Sequence, residues 1–151
     1  MVAAVAALAV TTGCGGSGGD GKDPQSVVKK ARSLAQETLE AVRPAIGSAD
    51  TSVDGGSWEK CPTEAPGPDR FSYGYGLRLD VPKAASRPVL DAAKAHFVKA
   101  GYTLDAPDPN AARVGGKLPQ SEWWAGVGVQ NESSMFISIG SGCVPMSSDP
   151  R

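Results

Sequence analysis

The rarest chemistry-bearing side chains in this chain of 151 residues are three cysteines, Cys14, Cys61 and Cys143, and one histidine, His96. A thiol can attack as a nucleophile, ligate a metal or close a disulfide, and its spacing and neighbours select among these. No CxxC pair occurs, and a lone histidine makes a poor zinc set with two cysteines. His96 changes charge near neutral pH, as an acid, base or ligand must, but no polar cluster adjoins it in sequence. There is no G-x-S-x-G elbow, no H-E-x-x-H and no P-loop. Arg113-Val114-Gly115-Gly116-Lys117 lacks both the P-loop spacing and the hydroxyl residue after lysine. Glu122 with Asp105 or Asp108 offers a carboxylate pair of a kind any acidic surface supplies. No metal or cofactor is called for.

The position of Cys14 decides more. Residues 2–10 form an apolar run of the length of an export-signal core. A bilayer span needs about 20 apolar residues, so this run is too short to cross one. No basic residue precedes it, and the expectation is a signal whose start lies upstream of Met1. The ending Thr12-Gly13-Cys14 resembles the lipobox of bacterial lipoproteins, with Thr11 standing where that family carries an aliphatic residue. The resemblance implies that Cys14 is acylated and becomes the new N-terminus, on the extracytoplasmic side of the cell membrane. Two acyl chains hold a protein stably where one is marginal. Ordinary cleavage near residues 7–9 with a secreted product, or an uncleaved apolar tail, are the alternatives. Residues 15–22, rich in glycine, form a leash whose reach is about 20 Å.

In an exported chain Cys61 and Cys143 read as a structural disulfide, with a reactive thiol or a metal site as the alternatives. The net charge of −1 and the absence of clustered Lys and Arg argue against a nucleic-acid surface. The frequent Gly and Pro, 19 and 12 residues, favour a loop-rich domain.

The elements that would position these groups can be read from periodicity. Asp23-Pro24 opens a helix whose apolar residues Val27, Ala31, Leu34, Thr38, Ala41 and Val42 recur at helical spacing, ending or kinking at Arg43 before Pro44. Residues 47–56 read as a loop, with 51–53 extended and Asp54-Gly55 as a turn, and residues 58–61 as a short strand. Residues 71–80 alternate cleanly as a strand. Ser86 is placed to cap a second helix over 87–100, closed by Gly101, with 102–104 a short strand beyond it. Residues 106–120 read as a long loop. Strands over 122–130 and 134–141 form a hairpin.

The expected fold is α+β: two layers, an antiparallel sheet of about five strands with two helices on one face, and one disulfide. Residues 1–13 are the signal, 14–22 the lipidated cysteine and tether, 23–145 one domain, and 146–151 a disordered tail. Trp58-x-x-Cys61, the helix end at Gly101-Tyr102, the closing hairpin and the late Cys143 are similar to small secreted lipoproteins of actinobacteria, a resemblance that implies location rather than activity.

One surface invites a ligand. The sheet face away from the helices carries Ser72, Gly74, Gly76 and Arg78, then Trp124, Gly126, Gly128 and Gln130, then Phe136, Ser138 and Gly140. Glycine weakens a strand and often marks a close approach to the backbone. Trp124, Phe136, Arg78 and Gln130 are therefore the candidate binding residues, for an envelope protein, peptide, glycan or lipid. The competing expectation is that the glycines serve sheet twist or receive another part of the chain. A non-enzymatic binding module is the leading functional expectation. A small envelope enzyme or enzyme inhibitor, and a passive envelope component, are the alternatives.

Overall fold

The computed structural model describes residues 21–62, 66–108, 110 and 112–151. Helix α1 (Pro24–Ile46) starts where the sequence places it: the Ser26 amide donates to the Asp23 carboxylate at 3.0 Å. Its buried stripe is Val27, Ala31, Leu34, Ala35, Thr38, Leu39, Val42 and Ile46. Thr38 is tolerated there because its hydroxyl donates to the Leu34 carbonyl at 2.8 Å. The helix runs one turn past the expected stop at Arg43. Pro44 sits in the last turn, and burial of Ile46 offsets the hydrogen bond that proline cannot make.

Helix α2 (Ser86–Lys99) follows a single 3₁₀ turn, Lys83–Ala85, so Ser86 lies inside the helix and makes no cap bond. Gly101 ends it at φ +79, a conformation that favours glycine. Val89, Ala93 and Phe97 face the core.

The strands are β1 (Thr51–Lys60), β2 (Arg70–Leu79), β3 (Thr103–Leu104), β4 (Arg113–Lys117), β5 (Trp124–Asn131), β6 (Ser134–Gly140) and β7 (Val144–Pro145). They form one antiparallel sheet in the order β1-β2-β6-β5-β4-β3, with β7 paired to the start of β2. Helix α1 packs over β2 and β6, and α2 over β3, β4 and β5. Both helices and the inner faces of the strands share one core, in which Phe71, Leu79, Phe97, Val127, Met135, Ile137 and Ile139 are buried. The protein is thus a two-layer α+β domain.

Two strands exceed the expected five, and each has a local cause. Strand β4 lies in the expected loop. A Cβ at Gly116 would come within 3.0 Å of the Leu104 Cα, so glycine is what lets β3 and β4 pair. Strand β7 is too short to alternate. The expected turn at Asp54-Gly55 is instead a bulge inside a continuous β1: the register shifts between Val53 and Gly55, and Gly55 takes φ +122. Nor does the chain come loose after residue 145. Met146 is only 5% exposed and bridges Lys22, while the Arg151 guanidinium lies 5.3 Å from the centre of the Phe71 ring. Cys61 and Cys143 are joined, with Cα atoms 6.1 Å apart, tying the end of β1 to the segment between β6 and β7.

Candidate binding trench on the open sheet face

Strand register sorts the helix-free face into rows that cross the sheet. One row is Ser57, Gly74, Gly140, Trp124 and Lys117. The next is Gly55, Gly76, Ser138, Gly126 and Gly115. The third is Ser52, Arg78, Phe136, Gly128 and Arg113. The middle row carries no side chain larger than serine. It is a trench perpendicular to the strands, with backbone for a floor. The Asp105 carboxylate lies over Gly115 and the Trp124 ring against Gly126, so only the part over β1, β2 and β6 is open, roughly 10 Å at about 4.8 Å per strand.

Trp124 flanks it. The indole lies down over Gly140 on the neighbouring strand and against Gly126 on its own; a methyl group at Gly140 would overlap the ring. Phe136 lies over Gly128 in the same manner, 3.0 Å from where a Cβ would stand. Each aromatic thus covers a glycine directly across from it, an arrangement that returns packing to a strand weakened by glycine. Two of the glycines are accounted for by the protein's own rings.

Others are not. Among the described residues a Cβ at Gly74 would meet nothing within 4 Å, and the nearest atoms to one at Gly76 belong to the Asp54 side chain and the Ile137 carbonyl, at 3.5 and 3.8 Å. Here the floor is open. Asp54, Ser57, Gly74, Gly76, Ser138 and Trp124 line a depression of about 520 Å³. A second hollow of about 220 Å³ adjoins it, between Glu59, Ser72 and the other flank of Trp124. Trp124 is 40% exposed between the two.

The four candidate residues do not form one cluster. Trp124 stands over the open floor. Phe136 shares a small cleft with Trp124, Arg113 and Asp105. Arg78, in the third row, is held by Asp80 at 3.0 Å. Gln130 lies beyond that row, where its side-chain oxygen accepts from Ser134 at 3.3 Å. The open floor instead brings in Asp54, Ser57 and Glu59 from β1, residues the sequence left in a loop or in a short strand of uncertain pairing. The bulge is what turns the Asp54 side chain over Gly76.

Electrostatically the face is split. Arg78, Arg113 and Lys117 pair with Asp80, Asp105 and Glu122 at 3.0, 3.5 and 3.1 Å. Asp54 and Glu59 belong to no salt bridge among the described residues. Asp105 and Glu122 each serve an ion pair, and Asp108 accepts from the Asn110 amide at 2.9 Å. His96 packs among aromatics, 5.6 Å from the Phe97 ring and 6.4 Å from Tyr102. Burial, then the nearby Glu37 carboxylate, raises the Tyr102 hydroxyl above its ordinary pKa. Among the described residues no group of three or more His, Cys, Asp or Glu side chains converges as a metal site would require. No helix among them is long and apolar enough to cross a membrane. Cys14, the apolar run before it and most of the tether lie outside the described residues.

No family model matches the chain, and no curated protein matches it. It is similar to the crystal structure of a DUF4853 family protein from Actinomyces odontolyticus, at 16% identity and a TM-score of 0.49, over 79% of this chain and 68% of that one.

Proposed function

We propose that the protein is an extracytoplasmic lipoprotein, held to the cell membrane through Cys14, whose trench beside Trp124 binds a ligand without chemical conversion. The observation that carries this reading is the open floor at Gly74, Gly76 and Ser138, next to a half-exposed indole. Glycine in a strand interior costs roughly 0.5–1 kcal/mol relative to alanine. At Gly128 and Gly140 that cost is offset by an aromatic ring. At Gly74 nothing among the described residues occupies the room that glycine leaves, and a bound molecule is the natural occupant.

The shape suits a ligand lying across β1, β2 and β6, with a flat group stacked on Trp124 and polar groups meeting the Ser57, Ser72 and Ser138 hydroxyls. Asp54 and Glu59, in no salt bridge among the described residues, supply acceptors for hydroxyl, amide or amine donors. A disulfide linking Cys61 and Cys143 suits an oxidising compartment. The Lys22 amide donates to the Pro145 carbonyl at 2.8 Å, so a tether from Cys14 would join the body beside β7.

Site-specific crosslinking in intact cells tests the reading. A photo-crosslinking residue at Ser57, on the trench wall, is expected to give a defined envelope adduct. The same residue at Arg87, on the exposed side of α2, is expected to give none. Equal labelling from both positions, or none from Ser57, would overturn it.

A further inference from the structure

The sheet is wider than the helices laid over it. Helix α1 covers β2 and β6, and β1 projects beyond it at the edge. The core-side surface at the start of β1 is therefore uncovered among the described residues, and Val53 is 64% exposed there, the most exposed large apolar side chain among them. Between that surface and the flank of α1 runs a groove of about 510 Å³. Leu39, Val53, Tyr75 and Leu77 give it an apolar base, and Lys29 and Arg32, one helical turn apart, stand at its rim. Neither cation belongs to a salt bridge among the described residues.

The edge of β1 is also unpaired among the described residues. Antiparallel pairing alternates, so every second residue points its N–H and C=O away from the partner strand. The Cys61 amide donates to the Arg70 carbonyl, and the Asp80 amide donates to the Asp50 carbonyl. Counting inward from these two bonds and across the bulge, Thr51, Val53, Gly56, Trp58 and Lys60 turn their backbone groups outward. Of these, Thr51, Val53, Trp58 and Lys60 carry their side chains on the groove side, since they pair with Leu79, Leu77, Tyr73 and Phe71 of the core. A strand added to this edge would satisfy the outward groups, and alternate side chains of that strand would drop toward Val53, Lys29 and Arg32.

We infer that β1 is a docking edge for an extended, acidic segment of a partner protein, which joins the sheet as a further strand. Main-chain hydrogen bonds supply the attachment, as in other strand-addition complexes, and the groove supplies the selectivity. Apolar residues of the segment lie on Val53 and Tyr75, and its carboxylates meet Lys29 and Arg32. A basic segment is disfavoured by the same two cations. This surface is separate from the trench, which lies on the opposite face of the sheet.

The test is a selection with the full, disulfide-bonded chain against a displayed library of random peptides of about nine residues, long enough to pair with β1. The expected winners combine acidic with β-branched or aromatic residues at alternate positions. They slow amide exchange at Thr51, Val53, Gly56, Trp58 and Lys60, and lose binding when their own backbone is N-methylated at alternate positions. Paired substitution Lys29→Glu and Arg32→Glu is expected to weaken them roughly tenfold or more, about 1.4 kcal/mol, while Trp124→Ala leaves them unchanged. Circular dichroism checks that the double variant is folded. Lys29→Gln with Arg32→Gln, which removes charge without reversing it, is expected to give a smaller loss in the same direction. A selection that enriches nothing, enriches basic peptides, or enriches peptides that leave the β1 amides unprotected overturns the inference. Binding of anionic lipid vesicles, abolished by the same substitutions with no peptide enriched, would reassign the cations to a membrane surface and overturn it equally.

Discussion

Adding one methyl group at Gly74 asks directly whether the depression beside Trp124 is open. Among the described residues a Cβ there would meet no atom within 4 Å, and the backbone has no positive φ to resist it. Alanine restricts the unfolded chain more than glycine does, so Gly74→Ala is expected to stabilise the protein by roughly 0.5–1 kcal/mol. The same change one strand away behaves in the opposite sense. At Gly140 the methyl group overlaps the Trp124 indole. Overpacking costs about 1–3 kcal/mol; set against the alanine gain, the net loss is roughly 0–2.5 kcal/mol. At Gly116 the obstacle is the Thr103 carbonyl and the Leu104 Cα, backbone that cannot rotate away. The loss there is expected at or above about 3 kcal/mol. Urea unfolding of the oxidised protein, followed by far-ultraviolet circular dichroism, gives the three values on one scale and does not depend on Trp124 emission. The expected order is Gly74→Ala above wild type, then Gly140→Ala, then Gly116→Ala. A loss of more than about 1 kcal/mol at Gly74 would mean that other atoms cover the floor, and would refute the open trench.

Three further outcomes follow from the same structure. Phe97→Ala, which empties a fully buried position under α2, is expected to cost about 3–5 kcal/mol in the same unfolding assay. Reducing the Cys61–Cys143 disulfide frees a loop spanning 82 positions, and on the chain-entropy account is expected to lower stability by about 4–5 kcal/mol, read as the urea midpoint with and without reductant. Tyr102, with its pKa raised by burial and by Glu37, is expected to ionise at higher pH than free tyrosine in an absorbance titration. Because folding holds it protonated, stability is intact below the ordinary value of about 10 and falls as pH rises from there toward the folded value. A Tyr102→Phe variant is expected to lose that part of the alkaline decline.

The helices and the core strands were legible because their residues obey a period. Asp23-Pro24 and Gly101 mark ends by backbone chemistry, and the alternation from Phe71 to Leu79 is enough by itself to assign that strand a core face. Strand β4 was illegible for the same physical reason that it exists: Gly115 and Gly116 permit close pairing but leave no pattern of side chains to detect. Asp54-Gly55 has the composition of a turn, and only tertiary pairing on β2 makes it a bulge. Ile46 carried the first helix past the residue where Pro44 argued for a stop. On the candidate site, the face of Trp124 and Phe136 followed from alternation alone. The separation of Trp124 from Arg78 and Gln130, and the arrival of Asp54, Ser57 and Glu59, depend on cross-strand register, which no single strand encodes.

The most direct measurement for the central claim is ligand capture on glycan and peptide arrays by the full chain, run beside Trp124→Ala and Gly74→Val. The account predicts a ligand held by the wild-type chain and lost by both variants, with neither variant melting more than a few degrees from wild type. Arrays that stay blank, or ligands that both variants retain, would contradict it.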